Sequence, residues 1–308
     1  MNEQNTSSPK FFDPGILRKS AIVDSGFALE NRRLPLPSIV ELSTSGTCNR
    51  TCVFCPRSDP TYPDVEEFMP LGLTEKLSTQ LAAVEFSGLV IFSGFVEPLL
   101  DKKLYEHVAL FRNQLPTARI EIVTNGDVLN EERLGRLFTS GLSTLSISVY
   151  DGKEDADRFE NMCRSVGLQD DQFVIRNRYL PQEQDFGITL TNRAGMMDNA
   201  EFKRPSLVEP LAKPCFYPGY SFVMDYLGDV LLCTHDWGKK MVVGNLYKQD
   251  FIEIWFSKLL MTIRHRLNDA DRNFKPCNVC DVDGSLMGRK HAEAWAELKD
   301  SSNQAGPK

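Results

Sequence analysis

Short apolar runs recur along the chain at intervals that each leave room for one helix: residues 39–42, 88–92, 119–123 and 144–149. Between them lie helical signals at about 74–86, 102–114 and 131–140, the last followed by Gly141, which suits a helix C-terminus. Strands separated by single helices run parallel, with right-handed crossovers, because an antiparallel neighbour needs only a hairpin. A helix near 153–165 and two more strands, 172–179 and 187–191, extend the series. Six or so such units make an incomplete α/β barrel over residues 38–200.

Outside that span the rhythm is lost. Residues 1–37 form a lead-in ending at Pro35 and Pro37, and residues 201–214 carry three prolines and no period, as a linker would. Runs at 220–225 and 229–233 flank a turn at Gly228 and predict a hairpin. A helix over 250–267, with Ile254, Leu259 and Ile263 near helical spacing, completes a small unit at 215–285. A last helix, about 286–298, leads into a polar tail at 300–308 that is expected to be disordered.

Eight cysteines fall as three, one and four. Cys48, Cys52 and Cys55 form a Cys-x3-Cys-x2-Cys run directly after the first strand. Three thiolates on one loop can hold three irons of a cubane and leave the fourth open. Disulfides or half of a zinc site are the competing readings. The polar N-terminus lacks the apolar core of a signal peptide, and there is no apolar run of 18 residues, so the expected setting is cytoplasmic, without a membrane span. There, clustered cysteines point to metal or catalysis. A net charge of −7 and a pI near 5.3 argue against a nucleic-acid partner.

The run, with the aromatic Phe54 before its third cysteine, resembles the signature of the radical S-adenosylmethionine (SAM) superfamily. That resemblance implies a partial (β/α)6 TIM-like barrel, with a [4Fe–4S] cluster whose open iron chelates the amino and carboxylate groups of SAM. Ligands of parallel sheets sit beyond the strand C-termini, and the residues there fit. Ser93-Gly94-Phe95-Val96-Glu97-Pro98 resembles the family's Gly-Gly-Glu-Pro turn, with Ser93 in place of a glycine and Phe95-Val96 inserted. Glu97 would accept from the SAM ammonium. Thr124-Asn125-Gly126 matches a further family element, and Ser146 and Ser148, on one face of their strand, resemble ribose-contacting positions. Arg178 and Arg193 are candidates for the SAM carboxylate.

Cys215, Cys233, Cys277 and Cys280 give Cys-x17-Cys-x43-Cys-x2-Cys around the expected hairpin. Four thiolates permit a structural zinc. After a radical SAM barrel they resemble twitch, a shortened SPASM domain, in which they hold an auxiliary [4Fe–4S] cluster completely. With no open iron, such a cluster serves as an electron acceptor.

The implied reaction begins with reductive cleavage of SAM to a 5′-deoxyadenosyl radical. Hydrogen abstraction from a small hydroxylated substrate (aminocyclitol, amino sugar or nucleotide sugar) follows, then two-electron oxidation. Within the family the pattern is most similar to a dehydrogenase that oxidises a secondary alcohol of an aminocyclitol. A sugar dehydratase or epimerase, or a peptide-modifying maturase, is the alternative. A one-electron reductant such as flavodoxin or ferredoxin is the implied partner. His235 and Asp236, just past Cys233, are the candidate bases, and Arg193 a candidate substrate holder. Cys163, mid-helix, reads as a buried hydrophobe.

Overall fold

The computed structural model describes residues 14–26, 34–202 and 206–304. In chain order its elements are α1 (Pro14–Gly26), β1 (Ile39–Leu42), β2 (Ser45–Gly46), β3 (Val65–Phe68), α2 (Leu71–Ala83), β4 (Leu89–Phe92) and α3 (Leu104–Gln114). Next come β5 (Arg119–Thr124), α4 (Glu131–Thr139), β6 (Thr144–Val149), α5 (Lys153–Ser165) and β7 (Phe173–Asn177). The C-terminal part holds α6 (Tyr217–Tyr220), β8 (Ser221–Met224), β9 (Asp229–Leu231), β10 (Val242–Asn245), α7 (Phe251–Trp255), α8 (Lys258–Asn268) and α9 (Arg289–Gln304).

One eight-stranded sheet, ordered β10-β9-β8-β1-β4-β5-β6-β7, runs through both parts. From β8 to β7 every pairing is parallel, and β8-β9-β10 is an antiparallel meander. Alternation along the strands divides the residues between two faces. Val40, Leu42, Val90, Phe92, Ile120, Ile122, Leu145 and Ile147 pack with buried residues of α2–α5, among them Cys163, in the main core. Opposite them, Ile39, Leu89 and Ile91 form a second cluster with Val23 of α1 and with Met287 and Ala292 near the C-terminus. Glu41, Glu121, Ser146, Ser148 and Arg176 share this inner face by register. The inner face is thus half polar, as a site requires and a core does not.

Several expected elements differ. Residues 187–191 form no strand: Gly187 closes a short 3-10 turn, and Ile188 and Leu190, without a ladder partner, tuck against Phe54. That burial produces the alternation that reads as a sixth strand. The sixth parallel strand is instead β8, on the opposite edge of β1. The helix expected from about residue 74 begins at Leu71, behind Pro70, and the buried Thr74 hydroxyl inside it lies 2.6 Å from His107 Nδ1. The helix expected over 250–267 breaks into α7 and α8, because Ser257 caps α8 by accepting from the Leu260 amide. Within it Leu260 is buried, while Leu259 is exposed. The last helix runs on to Gln304 where a disordered tail is expected; residues 305–308, and most of the lead-in at 1–37, lie outside the described residues. Among the described residues no helix is long and apolar enough to cross a membrane.

Candidate active site

The loop carrying Cys48, Cys52 and Cys55 is held by two arginines. Arg50 donates to Asp127, beyond β5, at 2.7 Å and to Asp151, beyond β6, at 3.0 Å. The buried Arg57 donates to the carbonyls of Phe95 at 2.7 Å and Gly46 at 2.8 Å, and to Asp64 at 2.7 Å. Phe54 anchors the loop's inner side against Tyr150 and Phe186. All three thiols line one cavity of ≈ 320 Å³ at the mouth of the barrel. Burial, then the neighbouring thiols, push Cys52 up to about 12; burial raises Cys48 and Cys55 too. Such groups become thiolates only with a compensating positive charge, which iron supplies.

The strand ends meet this loop. Gly94 is left-handed (φ +93°) with Ser43 Oγ only 2.4 Å from where a Cβ would stand, so a side chain has no room there. Ser93 Oγ donates to Glu41 at 2.6 Å. Glu97, buried, accepts from Thr124 Oγ1 at 2.6 Å, from the Asn125 amide at 2.7 Å and from the Leu99 amide at 2.9 Å. Burial pushes its carboxyl up to about 7, while these three donors pull it down. Two carboxylate oxygens offer about four acceptor sites, so one stays open toward the cavity. Glu97 is therefore a brace between β4 and β5 as well as an acceptor. Asn125 Nδ2 in turn donates to Asn49 in the cysteine loop at 2.8 Å.

Cys215, Cys233 and the pair Cys277 and Cys280 come from three places and converge. Each of Cys233, Cys277 and Cys280 feels the charge of others in the set, and burial raises all four thiols. Cys215 Sγ would lie 2.2 Å from a Cβ at Gly284, so that glycine makes room for the thiol. Arg272, buried, holds the surrounding turns by donating to the carbonyls of Lys213, Pro214 and Val282 at 2.9–3.0 Å, and its charge opposes the rise of Cys215, Cys277 and Cys280. Among the described residues no three such donors close on a single point as ligands of one bare ion would.

The two sets are joined by the turn after residue 191. Arg193 and Ala194 are both left-handed (φ 48° and 52°), and Gly195 follows at 82°. Asn192 locks this turn onto the second set's loop, its amide donating to Asp281 at 2.9 Å and its side chain to the Val279 carbonyl at 2.6 Å. Arg193 is thereby carried into the cavity, near Cys55 on one side, over the Trp237 ring and beside His235 on the other.

Of the residues named from sequence, Cys48, Phe54, Ser93, Gly94, Glu97, Thr124, Asn125, Ser148, Arg178, Arg193 and His235 meet at this cavity with Cys52 and Cys55. Arg178 points its guanidinium at the Gly187 carbonyl. Cys215, Cys233, Cys277 and Cys280 form the second set outside this lining, and two further residues are elsewhere. Asp236 is buried, its carboxylate accepting from the amides of Lys240 and Met241 at 2.9 and 2.8 Å, and so shapes a turn instead of facing substrate. Ser146 lies on the inner face away from the cavity wall, donating to Glu121 at 2.9 Å. Glu41, Arg57, Tyr150, Arg176 and Trp237 also line the cavity and were not singled out by sequence. Glu41 could have been, being a charge inside the four-residue apolar strand Ile-Val-Glu-Leu.

A parallel barrel sheet with a three-thiol loop at its mouth and a four-thiol set beside it defines a class. The Radical SAM superfamily model matches residues 42–173, and that of SPASM, an iron-sulfur cluster-binding domain, matches 215–281. The chain belongs to the radical SAM superfamily; it is an enzyme that uses SAM and iron–sulfur clusters. It is 31% identical to the S-adenosyl-L-methionine-dependent 2-deoxy-scyllo-inosamine dehydrogenase of Niallia circulans, over 80% of this chain and 94% of that one. The crystal structure of BtrN in complex with AdoMet and 2-DOIA superposes with a TM-score of 0.68 at 28% identity, covering 84% of this chain and 98% of that chain. Streptococcus suis SuiB bound to precursor peptide SuiA shares the fold at a TM-score of 0.53 and 16% identity, over 74% of this chain and 66% of that one. The SPASM match, not ligand spacing, turns the four thiols toward a cluster and away from zinc.

Proposed function

We propose that this enzyme oxidises a secondary alcohol of a small hydroxylated substrate, such as an aminocyclitol, amino sugar or nucleotide sugar, to the ketone. The observation that carries this reading is one shared cavity: the three-thiol loop, the Glu97–Thr124–Asn125 brace and His235, two residues from Cys233, all line it. A substrate seated beside SAM would then lie between the two cysteine sets. The sequence similarity to an aminocyclitol dehydrogenase supports the same substrate class.

When bound, SAM and the two [4Fe–4S] clusters supply a hydrogen-abstracting 5′-deoxyadenosyl radical and an acceptor for the second electron. We assign the remaining tasks to the chain's own residues. Cys48, Cys52 and Cys55 hold the first cluster, and Cys215, Cys233, Cys277 and Cys280 the auxiliary one. Glu97 accepts from the SAM ammonium with its open lone pair, Ser148 and Asn125 contact the nucleoside, and Arg178 and Arg193 neutralise the carboxylate. His235 has neither ring nitrogen hydrogen-bonded, so it can accept from the substrate hydroxyl and hold it in place. A one-electron reductant such as a flavodoxin or ferredoxin would supply the electron for SAM cleavage.

The test is anaerobic turnover of reconstituted protein with SAM, dithionite and a panel of aminocyclitols and amino sugars. The expected result is 5′-deoxyadenosine and ketone in equal amounts. A product that has lost water would instead make the enzyme a dehydratase.

A further inference from the structure

Helix α1 lies outside the residues that either family model matches, yet it forms part of the cavity wall. Ile16, Lys19 and Val23, spaced i, i+3, i+7, make one stripe of the helix. Val23 is fully buried on Ile39, Leu89 and Ile91 of the sheet's inner face, and Ile16 packs with the same cluster. Arg18 fixes the helix by pairing with the buried Glu121 and reaching Ser146 at 3.4 Å. A lysine in the middle of such a stripe ordinarily snorkels to water. Lys19, half-buried, reaches the cavity with Ile16.

Lys19 has no ion-pair or hydrogen-bond partner among the described residues. None of the inner-face carboxylates pairs with Lys19: Glu121 meets Arg18 and Ser146 through one oxygen, Glu41 accepts from Ser93, and Glu97 accepts from its three donors. Each thiol set has cations of its own, Arg50, Arg57 and Arg193 for the first and Arg272 for the second. The charges bearing on His235 are Arg193 and Lys19, and the imidazole nitrogens, like Arg193 Nε, are buried without a partner. The region between the cysteine sets therefore gathers cationic and unpartnered polar groups, and among the described residues Lys19 forms no ion pair with the carboxylates that share the cavity.

We infer that Lys19 is a specificity residue that binds an oxyanion, a phosphate or a carboxylate, carried by the substrate. This rests on the proposed function in one respect, that the substrate occupies this cavity.

The test is calorimetric binding to anaerobic, SAM-loaded holoenzyme with three probes: glucosamine, glucosamine 6-phosphate and glucuronate. Wild type should bind one of the two anionic probes at least about tenfold more tightly than glucosamine, and which one distinguishes phosphate from carboxylate. Lys19→Met should erase that preference, and Lys19→Arg should keep most of it, with iron content and SAM affinity unchanged in both. Failure of wild type to prefer either anion, or an undiminished preference in Lys19→Met, overturns the inference. So does a loss of SAM affinity in Lys19→Met, which would give the ammonium to SAM. SAM cleavage without probe, measured on the same samples, reports on the proposed function separately.

Discussion

The first cysteine set occupies eight consecutive residues, whereas the second is gathered from residues 215 to 280. One loop can be pinned from outside, and Arg50 and Arg57 do this from Asp127, Asp151 and the Phe95 and Gly46 carbonyls. A set drawn from the linker's end, the end of β9 and the turn before α9 has no such local frame. It is framed instead by a buried arginine, Arg272, and by Gly284, which leaves room for Cys215. The difference separates reactivity from architecture. On the proposed ligation, three thiols would leave an iron free for chemistry, while four would tie distant segments together and leave none.

The sharpest way to break this contrast is to remove one ligand from each set. Cys48→Ala should abolish SAM cleavage while leaving the thermal unfolding midpoint nearly unchanged. Persistent 5′-deoxyadenosine would sink the assignment of the first site. Cys277→Ala should spare SAM cleavage, abolish ketone formation, lower iron from about eight to about four per chain and lower the unfolding midpoint, since ligand loss here is also loss of a tie between segments. Zinc lost in place of iron would remove the electron-acceptor role.

A smaller effect is expected at the brace. Glu97→Gln turns an amide NH2 toward one of three donors, at a cost of about 1–3 kcal/mol. SAM affinity should fall about tenfold or more, measured by equilibrium dialysis, with iron unchanged. Unchanged affinity would reduce Glu97 to a structural role.

The mildest effect is expected from pH. His291 of α9 is buried 3.1 Å from Ser38 Oγ, and burial pushes its imidazole down to about 4 from an ordinary value near 6.5. The unfolded chain therefore binds the extra proton first as pH falls. Stability from this group is complete above about 6.5 and is lost progressively down to about 4, by roughly 2–3 kcal/mol. His291→Phe should flatten that part of the denaturant-midpoint profile, and an unaltered slope would assign it to other groups.

Strands β1, β4, β5 and β6 were legible because each is a short, largely apolar run between helical stretches, with one face in the main core. The segment at 187–191 misled for a related reason: Ile188 and Leu190 alternate into a small core around Phe54 without any strand beside them. The grouping of the cysteines was legible from spacing, although spacing left zinc open for the second set. Asp236 was not, since a carboxylate that accepts two backbone amides of its own turn is indistinguishable in sequence from one that faces a ligand. Lys19 and Arg272 escaped notice because their roles depend on packing across the fold, where Lys19 meets the barrel's inner face and Arg272 three carbonyls distant in sequence.

The sheet crosses from one functional half to the other without interruption, because β8 lies beside β1 in register from Ile39–Ser221 to Leu42–Met224. Such a seam makes the halves poor candidates for exchange. A chain cut before Ser221 would leave β1 as a bare edge of four buried residues, open to pairing with a second molecule. Grafting a foreign cluster domain onto this barrel would have to reproduce that ladder, not only the four cysteines.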